Sequence, residues 1–441
     1  MYKISRYNYD IDYQGKKLFF NGMKGSCLLM TLSEWNKMQP FIIDLDRFKQ
    51  EFPSDFDVLK QMGYIIDYDF DELAYLKHMN KTATYGNKSY TVFINPTLEC
   101  NFRCWYCYEK HDEGHMSDKT IENIKLHIKS KIENREMNLL NLGWFGGEPL
   151  LYFDEVVYPI TKYTKQLMEG NNLPLYSSVT TNAYCINDDM IEKMQGIGLR
   201  FFQITLDGNR TRHNQIRNCS GKPSYDVIIQ NIIKICQNID DVRITLRINY
   251  DDVTLKRNAE EILSDFPESI RSKLFIDMHR VWQTMRNDEN YPESSSDELD
   301  HFVISARNNG YNIRCHGALI TGTYTGCYAC RTNFACINFD GKVYKCTACS
   351  FTEKDCFGEL MDDGCIHWNE GRVSRLYGYS PLENPKCMEC KHLPLCLGPC
   401  PKHYMNKNHQ IDCVYDMVER EPYQRIIDYY EDSVRYKKCK L

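Results

Sequence analysis

The feature that most constrains this chain is a group of three closely spaced cysteines, Cys100, Cys104 and Cys107, in the segment NPTLECNFRCWYCYEK. Their C-x3-C-x2-C spacing directly follows a stretch that is typical of a β-strand. Three thiolates this close together can bind three of the four irons of a [4Fe–4S] cluster, and no fourth cysteine lies nearby in the sequence. One iron would then stay open to a small molecule. Zinc is the alternative, although zinc motifs usually contain paired C-x2-C units.

The composition limits the classes of protein to which the chain can belong. Its 441 residues suffice for one large domain with additions, or for two to three domains. A net charge of −6 with intermixed acidic and basic residues argues against nucleic-acid binding. The N-terminus lacks the apolar core of a signal peptide, and no apolar run is long enough to cross a membrane. We therefore expect a cytoplasmic protein without a membrane partner, whose 21 cysteines include metal ligands rather than disulfides.

Three segments with different patterns predict three domains. Residues 1–88 contain a hairpin pattern around Gly15, short helices and a further strand, which favours a winged-helix-like module. Residues 89–310 alternate strands and helices, which favours an α/β fold, a partial (β/α)6 barrel similar to a TIM barrel. In residues 311–441 regular periodicity fades and cysteine, glycine and proline are frequent, which is typical of a domain stabilised by metal.

The barrel segment contains six strand candidates, YTVFINPT, LLNLGWFG, LYSSVTTN, FFQITLDG, VRITLRINY and LFIDMHRVW. In parallel barrels the chemistry lies at the carboxyl ends of the strands, which is where the cysteine triplet falls. The polar run 286–300 predicts an exposed loop.

The cysteine triplet resembles the signature of the radical S-adenosylmethionine (SAM) enzymes. In that superfamily the open iron binds the amino and carboxylate groups of SAM. One-electron reduction then releases a 5′-deoxyadenosyl radical, which abstracts hydrogen from the substrate. The resemblance implies SAM as a cofactor and an electron donor such as flavodoxin or ferredoxin as a partner.

Two motifs at the ends of later strands resemble SAM-binding motifs of the superfamily. The tetrapeptide Gly146-Gly147-Glu148-Pro149 resembles the GGEP motif, which implies that its backbone and carboxylate receive the methionyl ammonium. The segment TLDGNRTRHNQIR resembles the S-L-D-G…H-x-x-x-R segment of members that modify peptides and proteins. That match implies a polar SAM contact for Thr205, in place of the usual serine, and a partner for the SAM carboxylate in Arg217.

Two further residues match positions of the superfamily. Tyr106, directly before the third cysteine, matches an aromatic residue that lies near the adenine. Asn182, in TTNA rather than the more usual T-N-G, matches a ribose contact. Ordinary packing or turn roles are the alternative for both residues.

The cysteines after residue 311 resemble the SPASM extension, which carries two auxiliary [4Fe–4S] clusters. The matching pattern is Cys327, Gly341 and Cys346, then Cys387-x2-Cys390-x5-Cys396-x3-Cys400 and finally Cys413. The resemblance implies an outer cluster bound by Cys387, Cys390, Cys396 and Cys413, and an inner cluster bound by Cys327, Cys346 and Cys400. The fourth inner ligand is Cys330, which we favour, or Cys336, or else the iron is open to substrate. A pair of zinc ribbons is the alternative.

The motifs predict radical chemistry but leave the substrate open. SPASM enzymes include maturases of ribosomally made peptides and sulfatase activators that form formylglycine. In those activators an aspartate that accepts a substrate proton follows the G-x4-C cysteine, whereas here the position holds Thr347, which cannot act as a comparable base. Many peptide maturases begin with a winged-helix-like domain that binds the leader of the precursor, and the resemblance of the N-terminal module to it implies binding of a leader as an added strand. A structural cap over the barrel is the alternative.

We therefore expect a maturase that forms a thioether or carbon-linked cross-link in a precursor peptide. A sulfatase-type activator is the alternative enzyme. A zinc-bound scaffold or a leader-binding adaptor without turnover is the alternative outside enzymes. The sequence names no general base.

Overall fold

The computed structural model describes residues 1–86, 88–250, 260–281, 295–315, 324–406, 413 and 422–438. The chain forms two compact units, each of which combines distant parts of the sequence. The first comprises Met1–Asn87, Gly317–Thr332 and Arg375–Leu441, and the second comprises Lys88–His316 and Asn333–Ser374. The part of the chain after residue 316 therefore contributes to both units.

The first unit begins with two small antiparallel sheets and four helices. The strands are β1 Tyr2–Ile4, β2 Asn8–Tyr13, β3 Lys16–Asn21, β4 Ser26–Thr31 and β5 Ile65–Asp67. The helices are α1 Leu32–Met38, α2 Leu45–Glu51, α3 Pro53–Gln61 and α4 Glu72–Tyr85. Strand β3 lies between β2 and β4, and β1 pairs with β5. The hairpin around Gly15 and the short helices agree with the sequence pattern, which had not indicated β1 or β4.

The second unit contains most of the regular structure. Its strands are β6 Ser89–Ile94, β7 Leu139–Trp144, β8 Leu175–Thr181, β9 Leu199–Leu206, β10 Asn218–Cys219, β11 Lys222–Pro223, β12 Arg243–Tyr250, β13 Leu274–Arg280, β14 Asn312–Cys315, β15 Phe334–Ile337, β16 Lys342–Tyr344, β17 Gly358–Leu360 and β18 Ile366–Trp368. The helices between residues 88 and 378 are α5 Asp118–Glu133, α6 Tyr158–Gly170, α7 Asp188–Ile197, α8 Arg210–Ile216, α9 Tyr225–Asn238, α10 Glu261–Ser264, α11 Glu268–Arg271, α12 Ser295–Asn308 and α13 Glu370–Gly378.

One large sheet organises the second unit, in the order β14-β13-β12-β9-β8-β7-β6-β15-β16-β17-β18. Neighbours from β14 to β15 are parallel, and β16, β17 and β18 continue antiparallel. The six predicted strands are β6 to β9, β12 and β13, so the expected α/β fold with a large parallel sheet is confirmed. Strands β14 and β15 extend the parallel run beyond the six.

Apolar periodicity explains why the helices pack on this sheet. Helix α5 begins after Ser117, whose hydroxyl accepts a hydrogen bond from the Thr120 backbone N–H at 3.2 Å. Ile121, Ile124 and Ile128 then fall on one face and are buried. Burial of each such side chain stabilises the fold by about 2 kcal/mol.

The polar run 286–300 differs in part from its prediction as a loop. Helix α12 begins at Ser295, so the end of the run is helical. Its serines and acidic residues suit the start of a helix as well as a loop. Residues 286–294 lie outside those that the structure describes.

The end of the chain returns to the first unit with α14 Pro385–Glu389, α15 Leu393–Cys396, α16 Pro401–Asn406 and α17 Pro422–Lys438. Helices α1 to α3 pack on the face of the three-stranded sheet that presents Phe19, and α17 packs on the face that presents Phe20. Both faces of this sheet are therefore covered. Among the described residues, no helix is both long enough and apolar enough to span a bilayer.

Candidate active site

A cavity of about 180 Å³ lies at the carboxyl ends of the parallel strands in the second unit. All three cysteines of the triplet line it. Six of the residues predicted to contact SAM line it as well, namely Tyr106, Gly146, Gly147, Asn182, Thr205 and Arg217. The fold therefore brings together residues that are far apart in sequence, and Glu148 lies directly behind this wall.

The cysteine triplet forms a tight loop after β6. The Phe102 backbone N–H donates to Cys100 Sγ at 3.4 Å, and the Cys107 N–H donates to the Cys104 carbonyl at 3.0 Å. Burial raises the pKa of the Cys100 thiol to about 12, and the Glu148 carboxylate adds to the rise. Without metal these thiols are protonated at neutral pH, so iron has to displace their protons.

The donor set fits a [4Fe–4S] cluster better than a single ion. Among the described residues, no three His, Cys, Asp or Glu side chains converge where one metal ion could bind. A cubane needs no such convergence, because each iron takes its own thiolate. Three thiols around one cavity, with no other cysteine in its wall, match a cluster that keeps one iron open.

Gly146 and Gly147 let the end of β7 lie against the loop that leads to Cys100. Gly146 has a φ of +106°, and a Cβ there would overlap the Thr97 carbonyl oxygen. A Cβ at Gly147 would overlap the carbonyl oxygens of Leu98 and Glu99. These glycines thus let the end of β7 approach the backbone before the first cysteine, in addition to any ligand.

Glu148 joins the ends of β7 and β8. Its carboxylate accepts hydrogen bonds from the Thr181 hydroxyl at 2.7 Å, the Asn182 backbone N–H at 2.7 Å and the Leu150 N–H at 3.1 Å. The side chain is 1% exposed, and burial raises the pKa of this carboxyl while the three donors lower it. The predicted contact with the SAM ammonium stays a prediction, because the carboxylate already has protein partners.

Asn182 connects the end of β8 to the cysteine loop. Its Nδ2 donates to Asn101 Oδ1 at 2.7 Å, and its Oδ1 accepts from the Tyr184 backbone N–H at 2.9 Å. Asn101 directly follows Cys100. Asn182 therefore fixes the position of this loop as well as lining the cavity.

The Tyr106 hydroxyl is the centre of a polar network. It donates to Asp207 Oδ2 at 2.6 Å and accepts from Arg217 Nη1 at 2.9 Å and Asn249 Nδ2 at 3.0 Å. One donor and two acceptor positions are thereby used. Burial raises the pKa of Asp207, and the positive charge of Arg217 opposes that rise.

The cavity wall also contains polar residues that the sequence did not single out, Glu109, His111, Gln203, Arg247 and Asn249. Arg247 and Asn249 are two residues apart on β12 and hence share a face of the sheet. Polar residues alternate with apolar ones along the strand RITLRINY, and this alternation is the signal that could have identified them. Burial raises the pKa of Glu109 to about 7 and lowers the pKa of His111.

The four cysteines predicted for the outer auxiliary cluster come close together in the first unit. Burial raises the pKa of the Cys396 thiol to about 12, and the neighbouring Cys390, Cys387 and Cys413 raise it further. The Gly398 N–H donates to Cys396 Sγ at 3.4 Å. Such N–H···S bonds also stabilise cluster thiolates.

The cysteines predicted for the inner cluster are divided between the units. Cys327, Cys330 and Cys400 line a cavity of about 790 Å³ in the first unit. Cys346 and Cys336 belong to the second unit, where burial and the nearby Cys349 and Cys346 raise the pKa of Cys336. The inner ligand set, including the choice between Cys330 and Cys336, stays a prediction.

Comparison with known families identifies the catalytic domain. Residues 94–262 match the model of the radical SAM superfamily. This segment of the chain is a radical SAM domain. The match contains the triplet and every residue predicted to contact SAM. A radical SAM enzyme binds SAM and a [4Fe–4S] cluster, which agrees with the fit of the three thiols to an open cluster.

The curated relatives of this radical SAM enzyme have different activities. A cysteine-type anaerobic sulfatase-maturating enzyme of Clostridium novyi (strain NT) is 23% identical over 353 residues, which cover 72% of this chain and 89% of that protein. A GTP 3′,8-cyclase of Campylobacter jejuni subsp. jejuni serotype O:6 is 24% identical over 236 residues, which cover 52% of this chain and 66% of the cyclase. These similarities select no substrate.

Solved structures match a larger part of the enzyme. Native anSMEcpe with bound AdoMet matches with a TM-score of 0.58 at 16% identity, over 78% of this chain and 98% of that one. Streptococcus suis SuiB bound to S-adenosylmethionine matches with a TM-score of 0.50 at 14% identity, over 96% and 99%. SuiB bound to its precursor peptide SuiA matches with a TM-score of 0.52 at 14% identity, over 93% and 97%. The likeness establishes a radical SAM fold with a C-terminal extension.

Proposed function

We propose that this radical SAM enzyme modifies a ribosomally made precursor peptide, in which it forms a thioether or carbon-linked cross-link. The observation that carries the proposal is the extent of the match to SuiB, whose complex with a precursor peptide is known. Because the match to SuiB covers 96% of this chain, it has to include most of the N-terminal module. The match to anSMEcpe covers 78%.

The proposed SAM site consists of the residues whose motifs match the superfamily. Cys100, Cys104 and Cys107 bind the cluster, and Tyr106, Gly146, Gly147, Glu148, Asn182, Thr205 and Arg217 form the surroundings of SAM. When bound, the reduced cluster and SAM supply a 5′-deoxyadenosyl radical that removes hydrogen from the substrate. The chain itself supplies a cavity, a guanidinium for the SAM carboxylate and a loop held in place by Asn182.

Two auxiliary [4Fe–4S] clusters of the SPASM type complete the proposed cofactor set. Cys387, Cys390, Cys396 and Cys413 bind the outer cluster, which the proximity of these thiols in the first unit supports. Cys327, Cys346 and Cys400 bind the inner cluster, with Cys330 as the fourth ligand. A cytoplasmic reductant such as flavodoxin or ferredoxin supplies the electron.

The proposed leader-binding module comprises residues 1–88. Helices cover both faces of its three-stranded sheet. Among the described residues, an extended peptide could therefore pair with this sheet at the outer edge of β2 or of β4. An added strand pairs its backbone with such an edge and uses side-chain pockets for specificity.

A sulfatase-type activity is the second candidate, favoured by the Clostridium novyi relative. The residue at position 347 argues against a sulfatase-type activity. The Tyr108 hydroxyl donates to the Thr347 carbonyl at 3.3 Å, and Tyr108 lines the cavity, so residue 347 lies close to it. A threonine there cannot accept a proton as an aspartate can.

The experiment that tests the proposal begins with the short open reading frames next to the gene. Their peptides are incubated anaerobically with the reconstituted enzyme, SAM and dithionite, and a cross-link appears as loss of two hydrogen atoms from the peptide with release of 5′-deoxyadenosine. A cysteine-containing sulfatase peptide serves as the control. Conversion of that peptide to formylglycine, with no modified neighbouring peptide, would contradict the maturase proposal.

A further inference from the structure

Two oppositely charged side chains, one of them in the cavity wall, lie close together without forming an ion pair. Asp207 follows β9 and is 1% exposed, and Arg217 follows α8 and lines the cavity. Their charges interact, yet among the described residues no N···O distance within 4.0 Å joins them. A direct contact would ordinarily be favoured where little water reaches the two charges.

The Tyr106 hydroxyl lies between the two charges. It donates to Asp207 Oδ2 at 2.6 Å and accepts from Arg217 Nη1 at 2.9 Å. Asn249 Nδ2, on β12, also donates to the Tyr106 hydroxyl at 3.0 Å and so helps to hold it in place. The buried Arg217 Nε has no partner among the described residues, so a donor of this guanidinium remains for a ligand in the cavity.

We propose that the Tyr106 hydroxyl is a spacer that keeps the Arg217 guanidinium turned toward the cavity, available to a carboxylate, instead of paired directly with Asp207. This inference rests on the proposed SAM site and adds a positioning role to it. Tyr106 lies between Cys104 and Cys107, so the loop that presents two cluster ligands also sets the orientation of the arginine.

The test is the affinity for SAM of the full-length, iron-loaded protein, measured by equilibrium dialysis under anaerobic conditions. Tyr106→Phe keeps the ring but removes the spacer, and we expect the Kd for SAM to rise about tenfold or more. Adding Asp207→Asn to Tyr106→Phe removes the competing charge and should restore most of the affinity. A ring that only packs near the adenine, or a merely structural role, predicts no such rescue.

Tyr225→Phe is the matched control. The Tyr225 hydroxyl donates to Asp265 Oδ2 at 2.7 Å in the same unit, and Tyr225 is buried away from the cavity wall. Loss of that bond should leave the Kd for SAM unchanged. Unchanged affinity in Tyr106→Phe, or a double variant as weak as Tyr106→Phe alone, would overturn the spacer role.

A crystal structure of metal-free Tyr106→Phe tests the inference without cluster loading. We expect an Arg217–Asp207 ion pair within 4.0 Å, and a guanidinium still turned toward the cavity would contradict the inference. If Tyr106→Phe does not fold, the double variant is compared with wild type, and SAM binding reduced tenfold or more in a folded double variant overturns the proposal. Absence of SAM binding in the wild type would instead refute the proposed SAM site.

Discussion

Gly146 and Gly147 show how single residues set the geometry of the candidate active site. Both hold the end of β7 against the backbone of residues 97–99, where a side chain would overlap carbonyl oxygens. Glu148 then links this end to β8 through Thr181 and Asn182. The walls of the cavity are thereby fixed before any ligand binds, which is the condition for positioning a reactive cofactor.

Gly147→Ala should destabilise the second unit by about 3 kcal/mol, because the added methyl group meets the carbonyl oxygens of Leu98 and Glu99. Urea denaturation measures the free energy of unfolding, and metal analysis measures the iron content. We expect both quantities to fall. Gly196→Ala in helix α7 is the matched control, since nothing lies within 4 Å of the added Cβ. It should stabilise by about 0.5–1 kcal/mol. Equal behaviour of the two variants would contradict this account.

Cys104→Ala should abolish 5′-deoxyadenosine formation, because two thiolates cannot hold a cluster with one open iron. The measurement is the yield of 5′-deoxyadenosine after anaerobic reconstitution with SAM and dithionite. Cys236→Ala is the control, since Cys236 is a buried thiol within α9, away from the cavity. Continued SAM cleavage by Cys104→Ala would refute the assignment of the triplet.

The residues that the sequence identified are those whose type and spacing belong to a motif. The triplet and GGEP could be found because thiol spacing and paired glycines are visible in a linear pattern. Arg247 could not be assigned in this way, because its place in the cavity depends on which face of β12 turns inward. The partners of Glu148 and the spacer position of Tyr106 likewise need the three-dimensional contacts.

At the scale of elements, the parallel sheet was predictable because its strands are apolar runs separated by amphipathic helices. Strands β14 and β15 were not predictable, because each is short and its apolar residues lie among cysteines and polar residues. The pairing of β15 with β6 joins residues more than 200 positions apart, from Val92 to Ala335. No local pattern encodes such a register.

Helix α5 is attached to the turn between β17 and β18 by His127. Its Nδ1 donates to the Gly364 carbonyl at 2.7 Å, and its Nε2 therefore accepts from the Tyr90 hydroxyl at 2.8 Å. Burial lowers the pKa of His127 to about 4. A second proton on the ring would have to replace the Tyr90 hydrogen bond.

This element contact predicts a pH-dependent stability. Because the folded pKa of about 4 is below the unfolded value of 6.5, the unfolded chain binds more protons between these values, and stability falls as the pH drops from 6.5 to 4. The loss should reach about 2–3 kcal/mol. Urea denaturation at several pH values, with His127→Gln as the comparison, measures it. The same acid-induced loss in that variant would contradict the prediction.

At the scale of the whole molecule, two compact units share the cysteine chemistry. The second unit holds the triplet and the cavity proposed to bind SAM, and the first holds the four cysteines proposed for the outer cluster. The sequence pattern predicted segments in order along the chain, whereas each unit combines distant segments. Such folding back depends on tertiary packing, for example of α17 on the N-terminal sheet, which no local pattern shows.

The iron content of the reconstituted protein reports the number of clusters. Three clusters predict about twelve irons per chain, and Cys390→Ala should lose about four of them while the triplet cluster remains. Cys104→Ala should also lose about four irons per chain, but this variant should lose SAM cleavage as well. Zinc in place of iron after anaerobic reconstitution would refute both cluster assignments.

The N-terminal module predicts dependence on a leader. A precursor without its leader should be modified at least about tenfold more slowly, since it loses the contacts of a docked segment, and the separate leader added in trans should restore part of the rate. Mass spectrometry of the peptide measures this. Equal rates with and without the leader would refute leader binding.

The measurement that tests the central claim most directly is the electron paramagnetic resonance spectrum of the reduced, anaerobically prepared protein before and after addition of SAM. An open iron in the cavity that binds SAM predicts a change in the cluster signal, and Cys104→Ala should lack that change. A wild-type spectrum that is identical with and without SAM would contradict the account.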